Sequence, residues 1–542
     1  MEWRSPSKIA SRQPRRSTSA ARWLLYLLIL TCISYTSLLL LTWPSDSLSF
    51  ALRSANDPYD QLPEVKVLPM GDTKQRKFRC IGWRATSNCT PSGPRDSARD
   101  QPCSRTIYNS NAGYCEVEDT QSGERFQVMR RHCTSLFQAA HFRCQDALGF
   151  VDFRVKARKA VEKAFIPEFV LPNVAKGSQN SPKDGIIIVV YPKLVASAYA
   201  LVRTLREVLN CQLPIELWYC PQELYSFPGP LTPLKRLVDS DATITFHKID
   251  DTRAMGFGAK VFSIYNSFLD RVLFLDADNF PVRDPSSLFQ TPEFESTGAI
   301  FWPDYWHPKR TIFNIHAKSM LWELLDVPFV DMFEQESGQL LLDRRRHAVP
   351  MKLAFFYMFH RPNYFTKLKV AHGDKDLFRF AWLKLNASFH MVQSPPAVAG
   401  KVINGTFCGM TMVQFDLGGN VLFLHRNQFK LTGKLAGLKK REAPEADGLP
   451  DPVIWTHLLS FDNTYDTNHY IIDTYRGQPA FPKSQSCFGK RKLEKDPHFT
   501  SQNFSTLSFA GLENTVRQFA VDAVNLLPPR HNADTMRQRL AG

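Results

Sequence analysis

From about residue 184, short runs of unbroken apolar residues alternate with stretches in which apolar side chains return every three to four positions. The first pattern marks strands covered on both faces, and the second marks helices with one buried side. Gly185-Ile-Ile-Ile-Val-Val-Tyr191, Ile215–Cys220, Ala242–Phe246 and Val272–Leu275 are the strands so predicted; Leu194–Leu209, Leu231–Val238 and Ala259–Leu269 are the helices between them. This alternation predicts an α/β fold with a mainly parallel central sheet, flanked by helices and joined by right-handed crossovers. No Gly-x-Gly-x-x-Gly follows the first strand and no Walker lysine is present, which argues against a dehydrogenase and a P-loop enzyme. Further on, Thr297–Trp306 predicts a short strand feeding an aromatic, acidic loop, and Gln335–Asp343 a polar loop entering an apolar strand. His372–Asp376 precedes a helical Leu-Phe-Arg-Phe-Ala-Trp pattern, and Val421–His425 is a strand ending in an imidazole. Upstream, residues 135–166 read as helical. After about Ala443 the pattern loosens; Ile454–Leu459 and Tyr470–Tyr475 are expected to pack, with no chemistry there.

The fourth strand runs straight into Asp276 and Asp278. Charge is costly inside a sheet, so the pair is expected at its carboxyl edge, where open α/β sheets bind ligands. Two carboxylates so close repel each other unless a cation lies between them. Oxygen ligation suits Mg²⁺ or Mn²⁺, ions that commonly bridge carboxylates to a diphosphate. A metal–diphosphate site is therefore predicted; a solvated Asp-x-Asp turn is the plainer alternative.

Trp23–Trp43 is an apolar stretch without a charge, long enough to span a bilayer and ended by interfacial tryptophans. Arg4, Lys8, Arg12, Arg15, Arg16 and Arg22 precede it, which keeps the amino terminus cytoplasmic and sends the rest into a lumen. An uncleaved signal-anchor is expected; a cleaved signal peptide would be shorter and end in small residues. Cysteine usage agrees. Of 11 cysteines, Cys32 lies in the span, and Cys80, Cys89, Cys103, Cys115, Cys133 and Cys144 crowd one segment. Without a Cys-x-x-Cys pair, structural disulfides are expected rather than a zinc site, in one of 15 connectivities for these six. Sequons at Asn88, Asn386, Asn404 and Asn503 fit the same compartment. The net charge of +15 forms no stripe and no nucleic-acid module is present, so anionic donors or membrane surfaces suit it better than nucleic acid. The predicted organisation is a cytoplasmic tail (1–22), an anchor (23–43), a proline-marked stem (44–79), a cysteine-rich lumenal segment (80–150), a catalytic domain (184–440) and a C-terminal extension (441–542).

Leu275-Asp-Ala-Asp-Asn-Phe-Pro, Trp302-Pro-Asp-Tyr-Trp, Glu336-Ser-Gly-Gln, His372-Gly-Asp-Lys-Asp and Leu424-His-Arg-Asn occur in an order that resembles the Golgi alpha-mannosyltransferases of the fungal Mnn1/Mnn2 type. The match covers roughly Gly185–Lys434, and the cysteine-rich segment is not part of it. The resemblance implies a GT-A fold of the nucleotide-diphospho-sugar transferase kind, a Golgi membrane enzyme of type II topology, GDP-mannose as donor, Mn²⁺ (or Mg²⁺) as cofactor and retention of the α configuration. It implies Asp276, Asp278 and a late histidine, His425, as metal ligands, and Lys260, Asp276, Lys375 and Asp304 as donor contacts. Asp374, Asp376 and Gln339 are its candidate catalytic residues: an aspartate to orient sugar hydroxyls beside the tight turn at Gly373, and Gln339, like Asp304, to bind donor or acceptor hydroxyls or, for Gln339, to lie near the anomeric carbon. The bland alternatives are a structural histidine, an exposed helical lysine and a solvated helix N-terminus with acids in its first turn. Trp302, Tyr305 and Trp306 could stack on a sugar or simply pack the core.

The expected activity is transfer of mannose, in α-1,2 or α-1,3 linkage, to a glycan or glycoprotein acceptor. A UDP-hexose-dependent enzyme would use the same acidic pair, and a non-catalytic glycan-binding protein could keep the fold. A phosphohydrolase of the haloacid-dehalogenase type wants Thr or Val two residues after the second aspartate, where Phe280 stands.

Overall fold

The computed structural model describes residues 64–528 apart from 73, 109, 175–180, 225–228, 435–444, 478–480, 482–484 and 495. The expected tail, the anchor and most of the stem lie outside the described residues. Among those described, no helix is long and apolar enough to cross a membrane.

Strands β1 (Val65–Val67), β2 (Phe78–Thr86), β3 (Ala112–Asp119) and β4 (Arg125–Arg131) form a small sheet in the order β1-β4-β3-β2. Disulfides Cys80–Cys103, Cys89–Cys133 and Cys115–Cys144 staple it, which settles the connectivity that spacing leaves open. Helix α1 (Ala147–Glu162) comes next, shorter than the helical stretch read from 135–166. Its Phe153 ring sits among Phe356, Tyr357, Tyr364 and Phe365, fastening the stapled segment to the α/β part of the chain.

The α/β part runs β5 (Asp184–Val190), α2 (Val195–Arg203), β6 (Ile215–Tyr219), α3 (Thr232–Ser240), β7 (Ile244–Lys248), α4 (Gly258–Asn266) and β8 (Arg271–Asp276). The expected elements are present with trimmed ends; α2 closes on a π-turn at Thr204–Val208, where the sequence suggests unbroken helix. After β8 come β9 (Asn279–Pro281), β10 (Ala299–Pro303), β11 (Gln335–Asp343), α5 (Ala348–Phe359), α6 (Leu377–Lys384) and β12 (His390–Met391). The central sheet has the order β12-β10-β11-β8-β5-β6-β7. Its right half is parallel, as expected, but β11 lies antiparallel between β8 and β10, so the sheet is mixed. Alternation cannot show this, because β11 enters without a preceding βαβ unit. Val272–Leu275 are wholly buried, which is why an unbroken apolar run is needed there. The strand order reverses between β5 and β8, and a crevice at such a switch point is the usual ligand site of an α/β sheet.

A second sheet takes β9, β13 (Ala397–Ile403), β14 (Thr406–Phe415), β15 (Val421–His425), β16 (His457–Phe461) and β17 (Phe499–Asn503) in the order β9-β15-β14-β13-β16-β17. The C-terminal strands thus complete a sheet that begins next to the acidic pair. Disulfide Cys408–Cys487 ties β14 to the strand Ser486–Gly489, and helix α7 (Leu512–Asn525) packs on α2, where Arg203 pairs with Asp522 and lies over the Phe519 ring. Cys211 and Cys220 are buried free thiols, so structural disulfides account for eight cysteines among the described residues. The four sequon asparagines are exposed.

Candidate metal and donor site

Two sheets meet at the acidic pair. Asp276 ends β8, and β9 starts at Asn279 and pairs antiparallel with β15, Asn279 lying opposite His425. This register brings an imidazole to two carboxylates almost 150 residues earlier in the chain. One atom each from Asp276, Asp278 and His425 lies within 4.8 Å of the others. His425 Nε2 is 3.5 Å from Asp278 and 3.9 Å from Asp276. Two carboxylate oxygens and one imidazole nitrogen are a donor set that fits a divalent ion.

Glu336 is the residue that motif reading passes over. It lies one strand away on β11, its carboxylate 3.5 Å from His425 Nδ1. An acidic partner on the far ring nitrogen fixes the tautomer, so that Nε2 faces the carboxylates. Burial opposes charge on both groups, yet each outweighs that for the other: Glu336 is drawn down to about 2, and His425 is raised above 6.5. A signal is available in sequence, since Glu336 sits in a quoted motif, but only the strand register shows what it faces.

In the metal-free chain, a raised imidazole stabilises the fold fully below about 6.5, and that contribution fades as pH climbs through its folded value. Metal binding runs the other way, because the ligand is the neutral ring. Acidifying from about pH 8 to about pH 6 is therefore expected to weaken Mn²⁺ binding. Glu336→Gln is expected to lower metal affinity roughly 10–100-fold at the upper pH and to shift the acid loss downward, read by calorimetric titration.

Gly338 sets the closeness of these groups. A Cβ built there would lie 2.5 Å from His425 Nδ1 and 3.0 Å from Glu336 Oε1. Gly338→Ala is expected to push the imidazole off the carboxylates and cost about 10–100-fold in metal affinity, with an overpacking cost of about 1–3 kcal/mol to the metal-free chain. An unchanged Mn²⁺ affinity would show that His425 is not a ligand.

Two lysines flank the pair. Lys260 on α4 is buried and meets Asp276 at 3.2 Å, Asp374 at 3.0 Å and the Ser337 carbonyl at 2.6 Å. Burial works against its charge, but Asp276, Asp374 and Glu336 outweigh it and hold the ammonium charged. Asp374 is itself raised by burial and by Asp276, against the pull of Lys260. Gly373, at φ +62°, makes the turn that delivers Asp374, and any side chain there would strike the Phe257 ring. Lys430, five residues past His425, pairs with Asp278. Burial brings it down to about 8 against the pull of Asp276. Nothing in the sequence marks its role, for a lone lysine in a loop is ordinary.

The remaining predicted residues stand elsewhere. Lys375 turns away from the triad into a buried cluster, 2.9 Å from Asp304 and paired with Glu334. Burial raises Asp304 to about 7, helped by Glu336 and Glu334 and opposed by Lys375. Asp376 is fully buried; it accepts the Gln335 N–H at 2.7 Å and pairs with Arg379. Gln339 is also fully buried, its carbonyl accepting from the Asn279 side chain at 2.6 Å. The structure therefore joins Asp276, Asp278, His425, Lys260 and Asp374 in one site, with Asp304, Lys375 and Asp376 in a second cluster and Gln339 beneath the turn. Trp302, Tyr305 and Trp306 are buried too, Trp302 donating to the Phe415 carbonyl at 2.8 Å, so packing explains this aromatic group.

A mixed α/β sheet with an Asp-x-Asp pair and an imidazole at its switch-point edge fits a glycosyltransferase domain of GT-A type. Comparison with known proteins shows what this chain is similar to. Residues 183–416 match a mannosyltransferase family model. The alpha-1,2-mannosyltransferase MNN2 of Saccharomyces cerevisiae is 25% identical over 382 residues, 63% of this chain and 62% of that protein. Alpha-1,2-mannosyltransferase MNN5 of the same yeast is 27% identical over 45% of this chain and 49% of its own length. The chain thus spans less than two thirds of the relatives it matches. The similarity to these fungal proteins includes a segment that matches a mannosyltransferase model, and four of the five motifs lie within residues 183–416. Among solved structures it is similar to the mannosyltransferase Ktr4p from S. cerevisiae (12% identity, 48% of this chain and 82% of that one, TM-score 0.28). It is also similar to the galactosyltransferase LgtC (12%, 39% and 73%, TM-score 0.28).

Proposed function

We propose that the domain at 184–440 transfers mannose from GDP-mannose to a glycan, retaining the α configuration and forming an α-1,2 or α-1,3 bond. The convergence of Asp276 and Asp278, inside the segment that matches a mannosyltransferase model, with His425 just beyond it carries this reading. Asp276, Asp278 and His425 would hold Mn²⁺ or Mg²⁺, the imidazole favouring Mn²⁺. When bound, the ion supplies Lewis-acid stabilisation of the charge on the departing diphosphate.

The chain's own residues do the rest. Lys430 and Lys260 bring two ammonium groups to the same carboxylates; a diphosphate arriving there exchanges Asp278 for phosphate oxygens as the partner of Lys430. Asp374 keeps Lys260 charged and aimed at Asp276. Asn279, fixed by Gln339, holds the turn between the two aspartates and β9. Asp376 acts as a support, tying α6 to β11 through Arg379 and the Gln335 N–H, and Lys375 pairs with Asp304 and Glu334. The rest of the assignment follows the sequence: a Golgi enzyme held by one N-terminal helix (23–43) behind a short tail (1–22) and a stem (44–79), with segments 80–150 and 441–542 around the catalytic part.

A donor screen on the full-length chain in detergent tests this, monitoring nucleotide release from GDP-mannose, UDP-glucose, UDP-galactose and UDP-N-acetylglucosamine with oligomannoside acceptors. Turnover of GDP-mannose that EDTA abolishes is expected. Turnover of a UDP-sugar instead would overturn the mannosyl assignment and keep the site.

A further inference from the structure

We infer that the cysteine-rich segment carries the distal subsite for an extended glycan acceptor, at the far end of a groove that begins beside Lys260 and Asp374. This rests on the glycan-transfer reading above. A hollow of about 830 Å³ opens between the loop Gly256–Gly258, which leads into Lys260, and His372–Gly373, which leads into Asp374. A second hollow of about 580 Å³ lies on the stapled segment around Thr106, Tyr108 and His141. Lys367 lines both, so the two hollows adjoin at one side chain. Each is the size of a small-ligand site, on the order of 300–1,000 Å³.

The lining suits sugar rings. Phe257 is 51% exposed, Phe137 41% and Tyr108 64%, although none of these rings is needed in the core. Exposed rings along a concave path offer flat apolar faces for sugar C–H groups, while neighbouring donors meet the hydroxyls. Lys367 is held by Asp146 at 2.7 Å and Arg253 by Asp251 at 2.6 Å, which presents N–H groups from neutralised pairs. Arg361 and Lys369 add further donors at the rim.

The distal end is built rather than accidental. Thr106 and Ile107 pair antiparallel with Arg143 and Phe142, and continuing the register sets Tyr108 opposite His141, their rings 6.2 Å apart. Cys80–Cys103 and Cys115–Cys144 tie down both arms of this ribbon, which then enters α1 and its aromatic seat on the catalytic part. Rigid placement of a ring pair at the end of a groove is what recognition of a long acceptor requires. A monosaccharide at the transfer site would not reach it.

The test uses the full-length chain in detergent and α-linked mannose oligosaccharides of one to six residues. Binding is measured without donor by calorimetric titration, then transfer kinetics with GDP-mannose and Mn²⁺. KM is expected to fall about tenfold or more from mono- to hexasaccharide. Tyr108→Ala is expected to raise the hexasaccharide KM and its Kd about tenfold, leaving kcat and the monosaccharide KM unchanged, and Tyr108→Phe to restore them. A hexasaccharide bound no better than mannose, or equally by Tyr108→Ala and the unaltered chain, would overturn the proposal. Tyr108-dependent binding with no transfer from GDP-mannose would keep the groove and sink the transfer reading instead.

Discussion

Asp278→Asn is expected to lower mannose transfer by about three orders of magnitude or more while leaving the fold intact. The carboxylate is one of two anionic ligands at a divalent-ion site, and an amide gives up the charge that neutralises the ion; several kcal/mol of transition-state stabilisation go with it. The fold should not suffer. The substitution gives up the ion pair with Lys430, which is partly exposed and regains water, and the backbone carbonyl of Asp278 still accepts the Arg426 N–H at 2.9 Å. Initial rates with saturating GDP-mannose, set beside thermal unfolding, check both halves. A loss of less than about tenfold at unchanged Tm would remove the acidic pair from the centre of the chemistry.

Glu513→Ala is expected to destabilise the chain by about 3–5 kcal/mol, more than any surface charge could. Glu513 lies at the start of α7, buried, and its carboxylate accepts from Arg426 at 2.6 Å and from the N–H groups of Ile454 and Trp455 at 2.8 and 2.9 Å. Removing it strands a wholly buried guanidinium in a site built for a pair. Arg426 is the residue after His425 and touches the Asp278 backbone, so the same variant is expected to weaken Mn²⁺ binding. Denaturant unfolding with and without Mn²⁺ measures the two effects together. A cost below about 1 kcal/mol would mean that α7 merely covers the second sheet rather than bracing it.

Periodicity makes β5 to β8 and their helices legible because each strand is buried on both faces and must be apolar throughout. It cannot show that β11 runs backwards, since direction leaves no mark on an apolar run. The acidic pair is visible because charge directly after such a run has few explanations. Motif order points to His425, and the register of Asn279 with His425 supplies the physical cause. Glu336 and Lys430 escape for the opposite reason: neither departs from local expectation, and only tertiary pairing gives them a task. Asp376 and Lys375 show what a charged motif at a helix start leaves open, since it reads the same whether it faces a ligand or pairs, as these two do, with Arg379 and Glu334. The C-terminal hundred residues carry no motif, yet Glu513 reaches the site through Arg426, a link of the kind that sequence spacing does not encode.

The most direct test is a Mn²⁺ titration of the full-length chain in the presence of GDP, monitored by electron paramagnetic resonance. One ion bound per chain, lost in Asp278→Asn and in His425→Ala and weakened in Gly338→Ala, is the expected result. Binding of the same stoichiometry and affinity in all three variants would contradict the site outright, and with it the mechanism built on Asp276, Asp278 and His425.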